Sequence, residues 1–513
     1  MSLKQLAQYD DAKTEAPSVM DIRTEYLDPI VSSTYKYTFR LDGNGTLDQN
    51  SMLVFKLYSN TQNNNRVNLW NGALGSIKRA TFQIGDNIIN DIQELWKYST
   101  IKNLNKLPVA QRNQYFGHYI GNQLWTKVIK SATERDASRS VYSTQEGNPA
   151  LVGSICNDND RSGIEFGKYD TGADRSINSH RLDNLANIAN NQQYGIPLGL
   201  LFPALKGQEI PLYLFQDQRI LFTFEFNTSE YYCNNFTRQT YTNGNQAAVQ
   251  SLDATSGEVI PSQVRMVVDY IAMPDEIINE QKKQTAAQGG FNLEFMDVVN
   301  VEKNIPVGTN GTIQEIEHRI GQNNREVHNI FMWKEFDSNT DYAINDNNGG
   351  GANFNGKRTS IINKFQGCVG LEEEEYNVNV DGRDEFNDFV LNPVSQYNEH
   401  AEALGVPPRL VRPLFVCDGN TLQNEVAVPL SGLNGMMKPL AVSLRNGEPA
   451  IVGGGRRIGQ YPIVWKYKRR CDNAITGNCP ATNKNMKVNY LIEVSKFANI
   501  RQVGTGNSVM VSY

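Results

Sequence analysis

The densest set of groups able to do chemistry is a run of carboxylates, Glu372, Glu373, Glu374 and Glu375, followed by Asp381, Asp384 and Glu385. Paired carboxylates can relay protons or hold a divalent ion. The alternation of Tyr376, Val378 and Val380 with Asn377 and Asn379 favours a plainer reading, a solvated acidic loop beside a strand. Five histidines, His118, His180, His318, His328 and His400, show no metal-ligand spacing, and no His-Glu-x-x-His occurs. His318 and His328 would meet across a hairpin but fit ordinary strand positions. Asp158, Asp160, Ser162 and Gly163 resemble the opening of a calcium loop, yet its twelfth position is Tyr169 where a glutamate is required. Gly453, Gly454 and Gly455 precede Arg456 and Arg457 without the lysine of a phosphate cradle, so a surface turn is expected. No Gly-x-Ser-x-Gly nucleophile elbow is present. No catalytic, cofactor-binding or metal-binding residue is therefore assigned, and no cofactor is expected.

Cysteines are equally uninformative as a framework. Cys156, Cys233, Cys368, Cys417, Cys471 and Cys479 are too sparse for a disulfide scaffold, and reduced thiols are the default. Cys471 and Cys479 flank a polar loop and could bridge under oxidising conditions. Sequons at Asn44, Asn227, Asn235 and Asn310 follow from an Asn-rich composition, because Met1 to Ala16 lacks the apolar segment of an export signal.

The elements that must carry these residues are β-strands. The chain has 513 residues, 39% hydrophobic, with net charge −6 and mean hydropathy −0.49. That length predicts two or three domains. No stretch reaches the roughly 20 apolar residues of a membrane-spanning helix. The densest basic cluster, Lys466 to Arg470, ends an alternating segment and is expected on a solvated strand edge; specific nucleic-acid binding is not expected. Abundant Asn, with 41 Gly and 23 Tyr, points to turns and strands.

Residues 1–30 lack periodicity and read as an N-terminal arm, mobile until it meets a partner. Period-two alternation begins at Tyr35, Tyr37, Phe39 and Leu41, and continues through Met52 to Tyr58 and through Ala80, Phe82 and Ile84. A short helix is expected from Asp91, with Glu94 completing a capping box. Ile220, Phe222, Phe224 and Phe226 form a clear strand, as do Val264, Met266, Val268 and Tyr270. Pro274, Asp275 and Glu276 then open a helix that Gly289 and Gly290 stop. New strands follow over 291–301, 313–320 and 327–333, and the chain closes with alternation at Ile463, Trp465 and Tyr467, at Val488 to Val494, and at Val509 and Val511. Long polar stretches cover 130–193, 229–257 and 337–356. Two halves of the same texture predict tandem sandwiches or barrels.

Four segments carry a family likeness. Residues 74–96 (LGSIKRATFQIGDNIINDIQELW), 196–226 (IPLGLLFPALKGQEIPLYLFQDQRILFTFEF), 264–281 (VRMVVDYIAMPDEIINEQ) and 487–513 (KVNYLIEVSKFANIRQVGTGNSVMVSY) resemble, in order, blocks of double jelly-roll major capsid proteins of double-stranded DNA viruses. That family spans nucleocytoplasmic large DNA viruses, virophages and polinton-like viruses. The resemblance implies an all-β fold of two tandem eight-stranded jelly rolls with long loops and a short interdomain helix. The implied domains are an arm over 1–30, a first jelly roll over 31–273, a helix and linker over 274–290, and a second jelly roll over 291–513. It further implies a homotrimer, a pseudo-hexagonal capsomer tiling an icosahedral shell in the virion, assembled inside the host cell. Its partners would be neighbouring capsomers and minor capsid and penton proteins; whether an inner membrane lies beneath stays open. The long polar stretches would form outer towers. Two alternatives stand beside it: a scaffolding protein of the same fold, and a tandem β-sandwich that binds or cleaves carbohydrate, for which Glu372 to Glu375 is the candidate.

Overall fold

The computed structural model describes residues 21–41, 45–48, 50–59, 65–67, 72–99, 101–102, 193–205, 209–215, 218–228, 233–235, 259–336, 374–390, 393–406, 414–415, 436–437, 440–445, 454–471, 485–503 and 506–512. In the first half these form β1 Asp21–Leu27, β2 Val31–Ser32, β3 Lys36–Leu41, β4 Thr46–Leu47, β5 Met52–Ser59, β6 Asn65–Val67, β7 Ile77–Ile84, β8 Asn87–Gln93, β9 Gln193–Pro197, β10 Ile210–Pro211, β11 Ile220–Phe226, β12 Cys233–Asn235 and β13 Val259–Ala272. The second half contributes β14 Phe291–Ile305, β15 Thr312–Gly321, β16 Glu326–Phe336, β17 Glu374–Val380, β18 Arg383–Asp384, β19 Leu414–Phe415, β20 Met436–Met437, β21 Leu440–Ser443, β22 Arg456–Arg457, β23 Ile463–Cys471, β24 Met486–Val503 and β25 Gly506–Ser512. Helix Asp275–Ala287 lies between the halves, entered from Pro274 and ended by Gly289 and Gly290, both at positive φ.

The strand order repeats. In the first half one sheet contains the path β1-β13-β5-β9 and the other β3-β11-β7-β8; in the second half the paths are β14-β24-β16-β21 and β15-β23-β17-β18. Taken in chain order, the eight strands of one path pair map one for one onto the eight of the other. This is the jelly-roll order, in which first and last strands lie side by side and successive strands alternate between sheets except for the fourth and fifth, which pair as a hairpin. Each half is thus one eight-stranded jelly roll, with short segments such as β2, β4, β10, β22 and β25 extending the sheets.

Period-two sequence explains the layering, because alternate side chains of a strand face opposite sides. Strand β11 buries Ile220, Phe222, Phe224 and Phe226. Phe222 stacks on Phe82 at 4.6 Å, and Phe226 meets Phe55 of the facing sheet edge-on at 5.2 Å. In the second roll Trp465 stacks on Tyr376 at 5.1 Å and leans on Tyr490 of the opposite sheet at 5.4 Å. Such rings close the inter-sheet space with large buried areas.

Three expectations need correction. Asp21–Leu27 forms the first strand of the first jelly roll, antiparallel to β13 from Asp21↔Ala272 to Leu27↔Met266, and is no free arm. The backbone of Asp21 to Leu27 finds its partners on an open sheet edge, a need that side-chain periodicity does not report. The helix expected from Asp91 is absent there: Asp91 lies in β8, where Arg79 of β7 donates to its two carboxylate oxygens at 2.6 and 2.7 Å. With its carboxylate held across the strands, Asp91 cannot cap, and helix begins only at Leu95, after Glu94 at φ 53°. Lys466 to Arg470 lies on no edge, because β23 runs between β15 and β17. The long polar stretches 130–193, 229–257 and 337–356 lie outside the described residues, apart from Gln193 and β12.

Candidate functional site

Where described, the sequence candidates are dispersed and individually occupied. Glu374 is buried in β17, not solvated, beside Lys334 of the facing sheet, and accepts the Tyr467 hydroxyl at 2.5 Å. Asp381 accepts the Gly459 amide, Asp384 pairs with Lys466 at 2.8 Å, and Glu385 pairs with Arg456 at 2.7 Å. Each of these four carboxylates is engaged by a different partner. Within the basic cluster, Lys468 pairs with Glu315 at 2.9 Å, and buried Arg469 donates to Gln314 and to the Pro306 carbonyl, both at 2.9 Å.

His318 bonds the Tyr490 hydroxyl at 2.8 Å, His328 bonds Ser495 at 2.7 Å, and His400 is buried in helix Pro393–Leu404. Burial holds the imidazoles of His318 and His328 below their ordinary pKa. The Gly455 amide donates to Glu326 at 2.8 Å, and a Cβ there would lie 2.8 Å from the His328 ring, so this glycine permits a close approach. Asn227 is buried and donates to the Gly75 carbonyl, whereas Asn310 sits in an exposed turn. Cys471 is a buried free thiol. His118, His180, Asn44, Cys156, Cys368, Cys417, Cys479 and the calcium-like loop lie outside the described residues. Among the described residues no group of His, Cys, Asp and Glu could hold a metal ion, and no helix is long and apolar enough to cross a membrane.

What does converge is a polar seam between the two jelly rolls. Strand β24 is buried on both faces: Val488, Tyr490, Ile492 and Val494 face the second core, while Asn489, Leu491, Glu493 and Ser495 face away. Against that outer face lies helix Leu95–Ser99 of the first roll, while β8 lies beside β14 and β25. Lys97 reaches Asn489 Oδ1 at 2.5 Å, with carboxylate oxygens of Glu94 and Glu335 each 3.3 Å away. Glu493 accepts Tyr98 Oη and Lys102 Nζ, both at 2.7 Å, and also Asn329 Nδ2. Asn90 and Lys496 each donate to Asp297 at 2.9 Å. Trp96 meets Trp333 edge-on at 5.3 Å across the same seam.

Burial pushes the Glu493 carboxyl up, but Lys102, Asn329 and Tyr98 outweigh it and hold its pKa below the ordinary value. The same contest, won by Lys97 with Lys487 and Trp96, lowers Glu94. Breaking a buried, hydrogen-bonded ion pair is costly, so these contacts set one relative placement of the two rolls. Sequence reasoning missed the seam, although polar residues inside apolar runs (Lys334 and Glu335 after Trp333, Asn489 between Val488 and Tyr490) were its available signal.

A second surface is conspicuous by exposure. In β1 every residue from Ile22 to Tyr26 is exposed; Ile22 reaches 65% and Tyr26 71%, and both point to the same side. Ile30 and Val31 continue the apolar exposure. Edge strands of this kind are usually covered, since unpaired backbone and apolar side chains invite association.

No family model matches the sequence, and no curated protein matches it. Solved structures do match in fold. VP54 of PBCV-1, in a crystal structure fitted into a cryo-EM reconstruction of the virophage Sputnik, aligns with 98% of this chain and 99% of its own at 10% identity, with a TM-score of 0.52. The PBCV-1 virus capsid, as a quasi-atomic model, aligns over 98% and 99% at 11% identity with a TM-score of 0.50. The tandem arrangement of both rolls is therefore shared nearly end to end.

Proposed function

We propose that this chain is a non-enzymatic major capsid protein of a double-stranded DNA virus, three copies of which close into a pseudo-hexagonal capsomer of an icosahedral virion shell. One observation carries the reading. Within the chain, β14, the first strand of the second roll, is flanked by β8 of the first roll, joined by Asn90 and Asp297. By the topological repeat, β1 holds the same place in the first roll, yet its Ile22 and Tyr26 are exposed. A second copy presenting β18, the counterpart of β8, would cover it. Such a contact is head-to-tail, and a head-to-tail contact that closes makes a ring. Three two-roll chains give six rolls, with helix Asp275–Ala287 as the link inside each. Neighbouring capsomers, minor capsid and penton proteins would then meet the outer faces of that block. The likeness to a virus capsid structure supports this reading.

Light scattering on purified protein tests it. The expected mass is three times 57.6 kDa, stable to dilution, and Tyr26→Lys with Ile22→Lys is expected to give monomers of unchanged thermal stability. A wild-type monomer that persists at high concentration would remove the proposal. A scaffolding role within the same fold is separated by composition: a shell subunit is the dominant protein of purified virions, and a scaffold is depleted from them.

A further inference from the structure

The seam holds three groups whose chemistry goes beyond hydrogen bonding. Lys97, Glu335 and Asn489 are all buried, and they come from different elements: helix Leu95–Ser99 of the first roll, and β16 and β24 of the second. The amine of Lys97 lies 2.5 Å from Asn489 Oδ1, and the Glu335 carboxylate lies 3.3 Å from that amine. Asn489 Nδ2 donates to Asn300 Oδ1 at 3.2 Å, which fixes the amide with its carbonyl turned toward Lys97. Trp96 and Trp333 close over the site, and the Lys97 amine sits 5.4 Å from the Trp96 ring centroid. A nucleophile, an acyl group and a proton carrier are therefore held together in a buried site.

We propose that Lys97 and Asn489 join spontaneously in an isopeptide bond that staples the two jelly rolls. A proton passes from the Lys97 ammonium to the Glu335 carboxylate, leaving a neutral amine. The Nζ lone pair then adds to Asn489 Cγ. Glu335 returns its proton to Nδ2, the Cγ–Nδ2 bond breaks, and ammonia leaves with the bonding pair. Glu335 takes the surplus proton from Nζ and passes it to the departing ammonia. The products are a secondary amide and an ammonium ion; nothing is oxidised or reduced, and no co-reactant is consumed. Burial assists by keeping out water that would compete for Cγ. Glu94, 3.3 Å from the amine on the more open side and also accepting the Trp96 indole N–H at 3.0 Å, positions Lys97. The staple does not depend on what the chain assembles into.

Intact-mass spectrometry of the purified, full-length folded protein tests the bond, with peptide mapping to locate it. The expected result is a mass lower than the sequence mass by one ammonia, and a branched peptide in which Lys97 is linked to Asn489. Glu335→Gln is expected to show the full sequence mass, because the proton carrier is gone. Asn489→Asp is expected to crosslink with loss of water in place of ammonia. Wild-type protein at its full sequence mass, or an ammonia loss mapped to another residue, would overturn the proposal. That result decides even if a variant fails to fold.

Discussion

Glu493 receives hydrogen bonds from Lys102 and Tyr98 on the first roll and from Asn329 on the second, so one carboxylate records whether the two rolls are docked. Its lowered pKa sets the sign of the acid response. A carboxyl that ionises more readily folded than unfolded stabilises the folded chain above its ordinary pKa. That advantage is lost as pH falls through the lowered folded value. The melting temperature is therefore expected to drop on acidification below the ordinary glutamate range, and Glu493→Gln to flatten that drop. Scanning calorimetry across the range checks both, and an unchanged slope in the variant would assign the acid response elsewhere. Removing the partner instead strands the charge. Lys102→Met is expected to cost about 3 kcal/mol at neutral pH, read by denaturant unfolding. A loss below about 1 kcal/mol would mean that Glu493 is not held as described.

At the scale of elements, the strands with clean alternation are those that face water on one side. Strand β11 alternates buried and half-buried residues along its length, and its ring stack with β7 makes Phe222→Ala expected to cost about 3–5 kcal/mol in the first roll, measured by chemical denaturation. The same alternation made Tyr376 to Val380, Ile463 to Tyr467 and the closing strands legible. Legibility ended where a second constraint acted. Strand β24 is buried on both faces, so its inward residues read correctly while Asn489 and Glu493 carried no periodic sign of the neighbouring roll. The capping box at Asp91 and Glu94 was locally sound, but the Arg79 guanidinium claimed the carboxylate across a hairpin. Lys466 to Arg470 looked like an edge because its lysines face outward. Charge on one face of a strand says nothing about whether both its backbone edges are paired. Glu374 read as solvated because its partner, Lys334, lies on the facing sheet, far off in sequence.

Taken whole, the molecule is one jelly roll built twice and locked at a polar seam. Eight strands recur in the same order without recognisable identity between the halves, as expected when a fold is kept by pattern and not by particular residues. The duplication makes the intrachain contact a template: the side of β14 that meets the first roll has its counterpart in the exposed side of β1. In the proposed ring a rigid seam would matter, since an angular error between the rolls would be multiplied from one chain to the next.

The most direct measurement is electron microscopy of the purified full-length protein, sorted into class averages. A particle with six lobes and three-fold symmetry is expected, each chain supplying two neighbouring lobes with the β1 edge of one chain against the β18 edge of the next. Two-lobed single chains, or a closed ring of any other number, would contradict it.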